Sequence, residues 1–138
     1  MKQLSVFLEN RQGRLDECLS ALTDNDINVV SLSLADTTDF GMLRLIVSEP
    51  EKAREALKGR GFSANFSEVV GIRMPHVPGA LQKALKVVAE QNINIEYMYA
   101  LCTKTDEAAI VIKPSDIEKA QTVLKDNGYT LFTDGDLF

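Results

Sequence analysis

The sequence has one histidine, two cysteines and no tryptophan among its 138 residues. His76 with Cys18 and Cys102 gives no zinc-ligand spacing and too few thiols for a disulfide scaffold. Two reduced cysteines in a cytoplasmic protein are the expectation. Basic residues are also scarce: 15 Lys and Arg against 20 Asp and Glu leave a formal charge of −5. Duplex nucleic acid or an anionic membrane surface would require a basic stripe, and no Lys/Arg cluster provides one. No apolar run approaches the ~20 residues of a membrane span. The opening MKQLSVFLENRQ lacks the continuous apolar core of a signal peptide. Catalytic signatures are missing too. There is no nucleophile elbow, no P-loop and no metal set, and one histidine with scattered carboxylates assembles no acid–base pair. Neither an enzyme nor a cofactor is expected.

What is present is a repeat. With 45% hydrophobic and 25% charged residues the chain is ordinary for a soluble globular protein. Adding 66 to the first half places Gly13 on Gly79, Leu15 on Leu81, Leu19 on Leu85, Ile27 on Ile93 and Asn28 on Asn94. Leu4, Val6 and Leu8 fall on Val70, Ile72 and Met74. Past Asp39 the offset becomes 67, a one-residue insertion in a turn, and SEPEKA then lies on SDIEKA. The chain is read as a tandem duplication, residues 1–68 and 69–138, with no Pro/Gly/Ser linker between the halves.

Each half has the same order of elements. Leu4, Val6 and Leu8 alternate as in a half-buried strand, and Leu15, Cys18, Leu19 and Leu22 recur at helical spacing. INVVSLSLA and INIEYMYAL are β-branched and aromatic second strands; turns at 39–41 and 104–106 lead to third strands at 43–47 and 109–112. Ser48…Glu51 and Ser115…Glu118 have capping-box spacing and open second helices that stop at Gly61 and Gly128. Fourth strands follow at 62–66 and 129–132. The pattern is α+β: βαββαβ twice, each a four-stranded antiparallel sheet under two helices, the ferredoxin-like plan.

The candidate functional residues lie where the first strand turns into the first helix, in ENRQGRL and PHVPGAL. A helix N-terminus offers unpaired N–H groups and a positive dipole end suited to a carboxylate. Glycine there serves the turn alone or leaves room for a ligand. The amides of Asn28 and Asn94 suit either a turn or an ammonium group. Arg11 and Arg14 suit a carboxylate, while the second loop has neither. Tyr97 and Tyr99, opposite Ser31 and Ser33 in the repeat, are a sheet-face pair or a pocket wall.

NRQGRL and VPGAL, each followed by a helix and then by IN and a hydrophobic strand, resemble the ACT domain, a small regulatory module that senses amino acids. The resemblance covers the whole chain as two ACT repeats forming an intramolecular pseudo-dimer. It implies a non-catalytic protein that binds an amino acid or similar small molecule between two ACT units, the loop of one facing the second strand of the other. The ligand residues implied are Asn10, Arg11, Gln12, Gly13, Arg14, Leu15 and Asn28 from the first repeat. From the second they are His76, Val77, Gly79, Ala80, Leu81 and Asn94. The phosphoglycerate dehydrogenase regulatory domain, similar around ENRQGRL, carries a histidine on the preceding strand where this chain has Leu8 and Met74. Loop one, with its arginines, is the expected occupied site. The alternative is a regulatory subunit that docks a biosynthetic enzyme without retaining a ligand.

Side-by-side pairing through the second strands would put the fourth strand of one repeat and the first strand of the next roughly 28 Å apart. The 66–70 connection spans at most about 14 Å. Two arrangements escape this: exchange of the fourth strands between repeats, or pairing between chains of a homodimer. Exchange is the favoured expectation.

Overall fold

Alternation at Leu4, Val6 and Leu8 is realised in strand β1 (Lys2–Glu9), which a loop joins to helix α1 (Arg14–Asp24). Strands β2 (Val29–Asp36) and β3 (Phe40–Val47), helix α2 (Pro50–Gly59) and strand β4 (Ser63–Glu68) complete the first repeat. The second runs β5 (Val70–Met74), α3 (Ala80–Ala89), β6 (Ile95–Ala100), β7 (Ala108–Pro114), α4 (Ile117–Asp126) and β8 (Leu131–Phe132), then a 3-10 turn at Asp134–Leu137. The computed structural model describes residues 1–36 and 39–137, without the Asp36 side chain. Among these residues no helix is long and apolar enough to cross a membrane.

The sheets are four-stranded, in the orders β2-β3-β1-β4 and β6-β7-β5-β8. Period-two alternation turns one face of the central strands toward the helices. In the first sheet Leu4 lies opposite Leu45 and Val6 opposite Leu43. These residues form one core with Cys18, Leu22 and Leu57. In the second, Val70 faces Ile112 and Ile72 faces Ile110, in a core with Val88 and Leu124. Two compact units result: Lys2–Ser67, and Glu68–Phe138 together with Met1. Met1 joins the second because its ammonium group donates to Glu68 Oε2 (2.9 Å) and to the Val69 carbonyl (3.2 Å).

The duplication extends to the backbone. Asp26 and Asn92 hold φ of 57° and 58° at matching positions after the first helix of each repeat. In the first, Ile27 N–H reaches back to the Leu22 carbonyl (3.0 Å) and closes the helix end.

Two expectations need correction. The fourth strands are not exchanged: β4 lies beside β1, and β8 pairs with β5, Phe132 opposite Gly71 and Leu131 opposite Ile72. Only Val69 separates β4 from β5, and each fourth strand stays in its own sheet. Each helical crossover then returns its own fourth strand beside its own first. The capping boxes also fail to form. Helix α2 starts at Pro50 after Glu49, with no side-chain cap, and α4 is capped by Asp116, which accepts from Lys119 N–H at 3.1 Å. The serines stitch strands instead. Ser48 Oγ accepts from Asn28 N–H (3.0 Å) and Ser115 Oγ from Asn94 N–H (3.0 Å), while Ser48 and Ser115 N–H donate to the carbonyls of the same two asparagines. A hydroxyl one residue ahead of the true cap ties the start of the second strand to the end of the third.

Three arginines flank the cores with their guanidinium groups over phenylalanine rings: Arg14 on Phe62 at 3.8 Å, Arg54 on Phe66 at 4.5 Å and Arg73 on Phe132 at 4.4 Å. The Nε atoms of the same three are buried without a hydrogen-bond partner. Cation–π attraction to the ring offsets part of the cost of that burial.

Ser115→Ala and Asp116→Ala should each lower stability by about 0.5–1.5 kcal/mol in urea unfolding, the worth of one hydrogen bond or one cap. Under a capping box Asp116→Ala would change nothing, so that variant separates the two geometries. Burial pushes the Cys18 thiol up to about 11 from 9.0, against a smaller opposing pull from the Arg14 charge. The unfolded chain therefore loses this proton first. Its effect on stability is nil below pH 9 and grows unfavourable as pH rises from about 9 through about 11. The urea midpoint should fall across that window less in Cys18→Ala than in the parent, and a thiol reagent should label exposed Cys102 long before Cys18.

Candidate functional site

The two strand-to-helix loops share one backbone. After β1, Arg11 N–H donates to the Glu9 carbonyl (2.9 Å) and Arg14 N–H to that of Arg11 (3.3 Å). After β5, Val77 N–H donates to the Pro75 carbonyl (3.0 Å) and Ala80 N–H to that of Val77 (3.2 Å). Each loop opens with a three-residue turn and brings a glycine to the helix N-cap, Gly13 at φ 83° and Gly79 at φ 84°. A side chain in that left-handed region costs about 1–2 kcal/mol. A Cβ on either would meet nothing within 4 Å. Conformation explains these glycines, and the space beside them is open.

The side chains differ. In the first loop Asn10, Arg11, Gln12 and Gly13 are exposed, and both arginines have partners. Arg11 pairs with Glu9 (3.1 Å) and Glu17 (3.6 Å), and Arg14 pairs with Glu17 at 2.9 Å. The hydrogen bond from Arg14 holds the Glu17 carboxyl below its ordinary range, helped by the charge of Arg11. Arg14 is also half-buried on Phe62. In the second repeat Ala80 and Tyr129 replace Arg14 and Phe62, and a cavity of about 490 Å³ opens between Val77, Lys83 and Tyr129.

A second cavity, about 580 Å³, lies on the other flank of this loop. His76, Val77, Ala80 and Leu81 line it from the loop and the first turn of α3. Met74, Ala100, Ala108 and Ile110 form its floor, and Thr103, Thr105, Asp106 and Glu107 come from the β6–β7 connection. In the sequence Met74 stands out as the counterpart of Leu8 and 104–106 as a turn, but Ala100, Thr103, Glu107 and Ala108 are not singled out. The signal available was the repeat register, which sets Ala100 against Leu34 and Ala108 against Gly41. In the first repeat the Leu34 Cδ1 atom stands 3.1 Å from where a Gly41 Cβ would be, so leucine fills the corner that Ala100 leaves open.

Leu15 and Leu81 keep helical spacing but are 37% and 40% exposed, so the first turn of each helix projects past the core. Asn28 and Asn94 are exposed, each at the start of its second strand and held by its serine. In its own sheet Asn28 is at the opposite end from the first loop, because Glu9 pairs with Phe40 and Asp36 with Gly41 at the loop end. Tyr97 and Tyr99 pair with Lys113 and Val111, on the face away from the helices, whereas Met98 shares the helix face with Ile112. The tyrosines are a sheet-face pair and not walls of the 580 Å³ cavity.

The sequence matches the model of the ACT domain pair over residues 1–138. The chain belongs to the ACT domain pair family. Among solved structures it is similar to protein BT0572 from Bacteroides thetaiotaomicron, 46% identical with a TM-score of 0.92, over 99% of this chain and 94% of that one. It shares its fold with the regulatory subunits of aspartate kinase from Thermus thermophilus (18% identical) and Thermus flavus (20% identical). Each has a TM-score of 0.65 and matches over 90% of this chain and 88% of its own. No curated protein matches the sequence.

In this ACT pair the two loops thus present one backbone with opposite chemistry. The first carries two paired arginines, with a pocket of about 270 Å³ between Arg14 and Phe62; the second carries His76 in place of arginine and has the larger cavities on its flanks. Arg14→Ala should cost about 0.5–2 kcal/mol in urea unfolding, and Arg14→Lys should recover only part of it, because an ammonium group cannot stack as a guanidinium does. Full recovery by lysine would show that charge alone matters there.

Proposed function

We propose that this ACT pair is a non-catalytic regulatory protein that binds an amino acid, at a site made by a strand-to-helix loop of one ACT unit and completed by the second strand of another. The observation that carries this reading is the 580 Å³ cavity on the His76–Leu81 loop, within the range of small-molecule sites. Completion by another unit follows from strand direction. Each loop sits at the far end of its sheet from its own Asn28 or Asn94, so a second strand running antiparallel along that edge brings its own asparagine to the loop. Loop N–H groups and the helix dipole suit the ligand carboxylate, and the asparagine amide suits its ammonium group. Output must reach a partner or the oligomeric state, since coupling needs a second site.

Exposed Leu32 and Leu34 on β2 and Met98 on β6 favour a second reading, in which these edges dock a biosynthetic enzyme or a second copy. Thermal unfolding against the twenty amino acids separates the two. A ligand at about 100 times its dissociation constant adds about 2.7 kcal/mol of stability, a clear rise in Tm. Asn28→Ala or Asn94→Ala, whichever asparagine completes that loop, should weaken the response with little change in the unliganded Tm. No response to any amino acid, together with a co-purifying enzyme, would favour docking.

A further inference from the structure

The cavity on the second loop carries a statement about which ligands it takes, and this rests on the amino-acid reading above. Its floor and walls are aliphatic: Met74, Val77, Leu81, Ala100, Ala108 and Ile110. The charged groups that line it are two carboxylates, Asp106 and Glu107, both exposed on the β6–β7 connection. Among the described residues no lysine or arginine lines it. The first repeat has the reverse arrangement, Arg11 and Arg14 at the positions of Val77 and Ala80, and Leu34 folded over Gly41 where Ala100 leaves space. A carboxylate side chain placed in this cavity would lose water and face Asp106 and Glu107, the latter partly balanced by Arg73 at 4.0 Å, so desolvation and the like charges both oppose it. An aliphatic or aromatic side chain covers the apolar floor, and the ligand's ammonium group meets the acidic rim.

We infer that the second repeat selects amino acids with uncharged apolar side chains and rejects dicarboxylic ones, with Ala100 as the residue that keeps the pocket open. The Ala100→Leu variant gives the second repeat the leucine of the first and fills the pocket; Val77→Asp adds a third carboxylate to its wall. Both positions are exposed, so both variants should keep the parent's circular dichroism and unliganded Tm. Calorimetric titration of the full chain with L-leucine, L-phenylalanine, L-aspartate and L-glutamate is the test. Leucine or phenylalanine should bind at least about tenfold more tightly than either acid, and both substitutions should weaken that binding by about tenfold or more. If an acid binds as well as the apolar pair, selection by charge is wrong while amino-acid binding stands. Leucine binding that survives both substitutions would mean the ligand sits elsewhere. Absence of binding by all four, and by the remaining amino acids, would remove the underlying reading and this inference with it.

Discussion

Everything in each repeat depends on burying one face of two central strands beneath two short helices. A unit of roughly 69 residues has little interior to spare. Leu4, Val6, Leu43 and Leu45 in one repeat, and Val70, Ile72, Ile110 and Ile112 in the other, occupy that interior almost completely. Their alternation sets strand register, and a slip of one residue would turn the whole set to solvent. The helix positions that meet them, Cys18 and Leu22 or Ala84 and Val88, are fixed in turn. With the core and crossovers so constrained, duplication leaves freedom mainly at the strand ends. There the repeats keep backbone and change chemistry.

Gly13 and Gly79 show how tightly the backbone is kept, at φ values one degree apart. The side chains around them diverge in a coordinated way. Where the first repeat has Arg14 it also has an aromatic ring to receive the guanidinium and Glu17 to pair with it. Where the second has Ala80 it also has Ala100 in place of Leu34, so space opens on both flanks of the loop. The first repeat keeps a smaller pocket of about 270 Å³ beside Arg14 and Phe62, and the second opens two larger ones. The exposed ion pairs of the first loop are each worth little, so a carboxylate arriving there would have to displace Glu9 and Glu17 from the same arginines.

The sequence made the fold legible because repetition tests each element twice. Alternating leucines and valines, helical spacing and glycine stops all recur in register, and the observed element order follows them. The failures share a cause. Ser48…Glu51 fits a capping box by spacing, yet Pro50 starts the helix one residue later and the hydroxyl turns to Asn28. Spacing cannot tell which neighbour a serine oxygen faces. Leu15 and Leu81 satisfy the helical period, but a period does not reveal where a helix overhangs its sheet. Exchange of fourth strands follows from the short 66–70 connection only if the repeats pair side by side through their second strands, and each sheet keeps its own fourth strand instead.

The candidate site was half legible for a similar reason. The loop residues announce themselves through glycine and helix N-terminus, which are local features. The cavity needs Ala100, Ala108 and the 101–107 connection, brought to the loop only by antiparallel pairing of β6, β7 and β5. Arginine beside a helix N-terminus pointed to the first loop as the ligand site. In the structure those arginines pair with Glu9 and Glu17 beside a pocket of about 270 Å³, and the larger cavities lie beside the loop that lacks them. Charge in a sequence marks where a ligand would be attracted, whereas absence of bulk marks where it fits. An alanine opposite a leucine in the repeat register is the quieter sign, and here it marks the cavity of about 580 Å³.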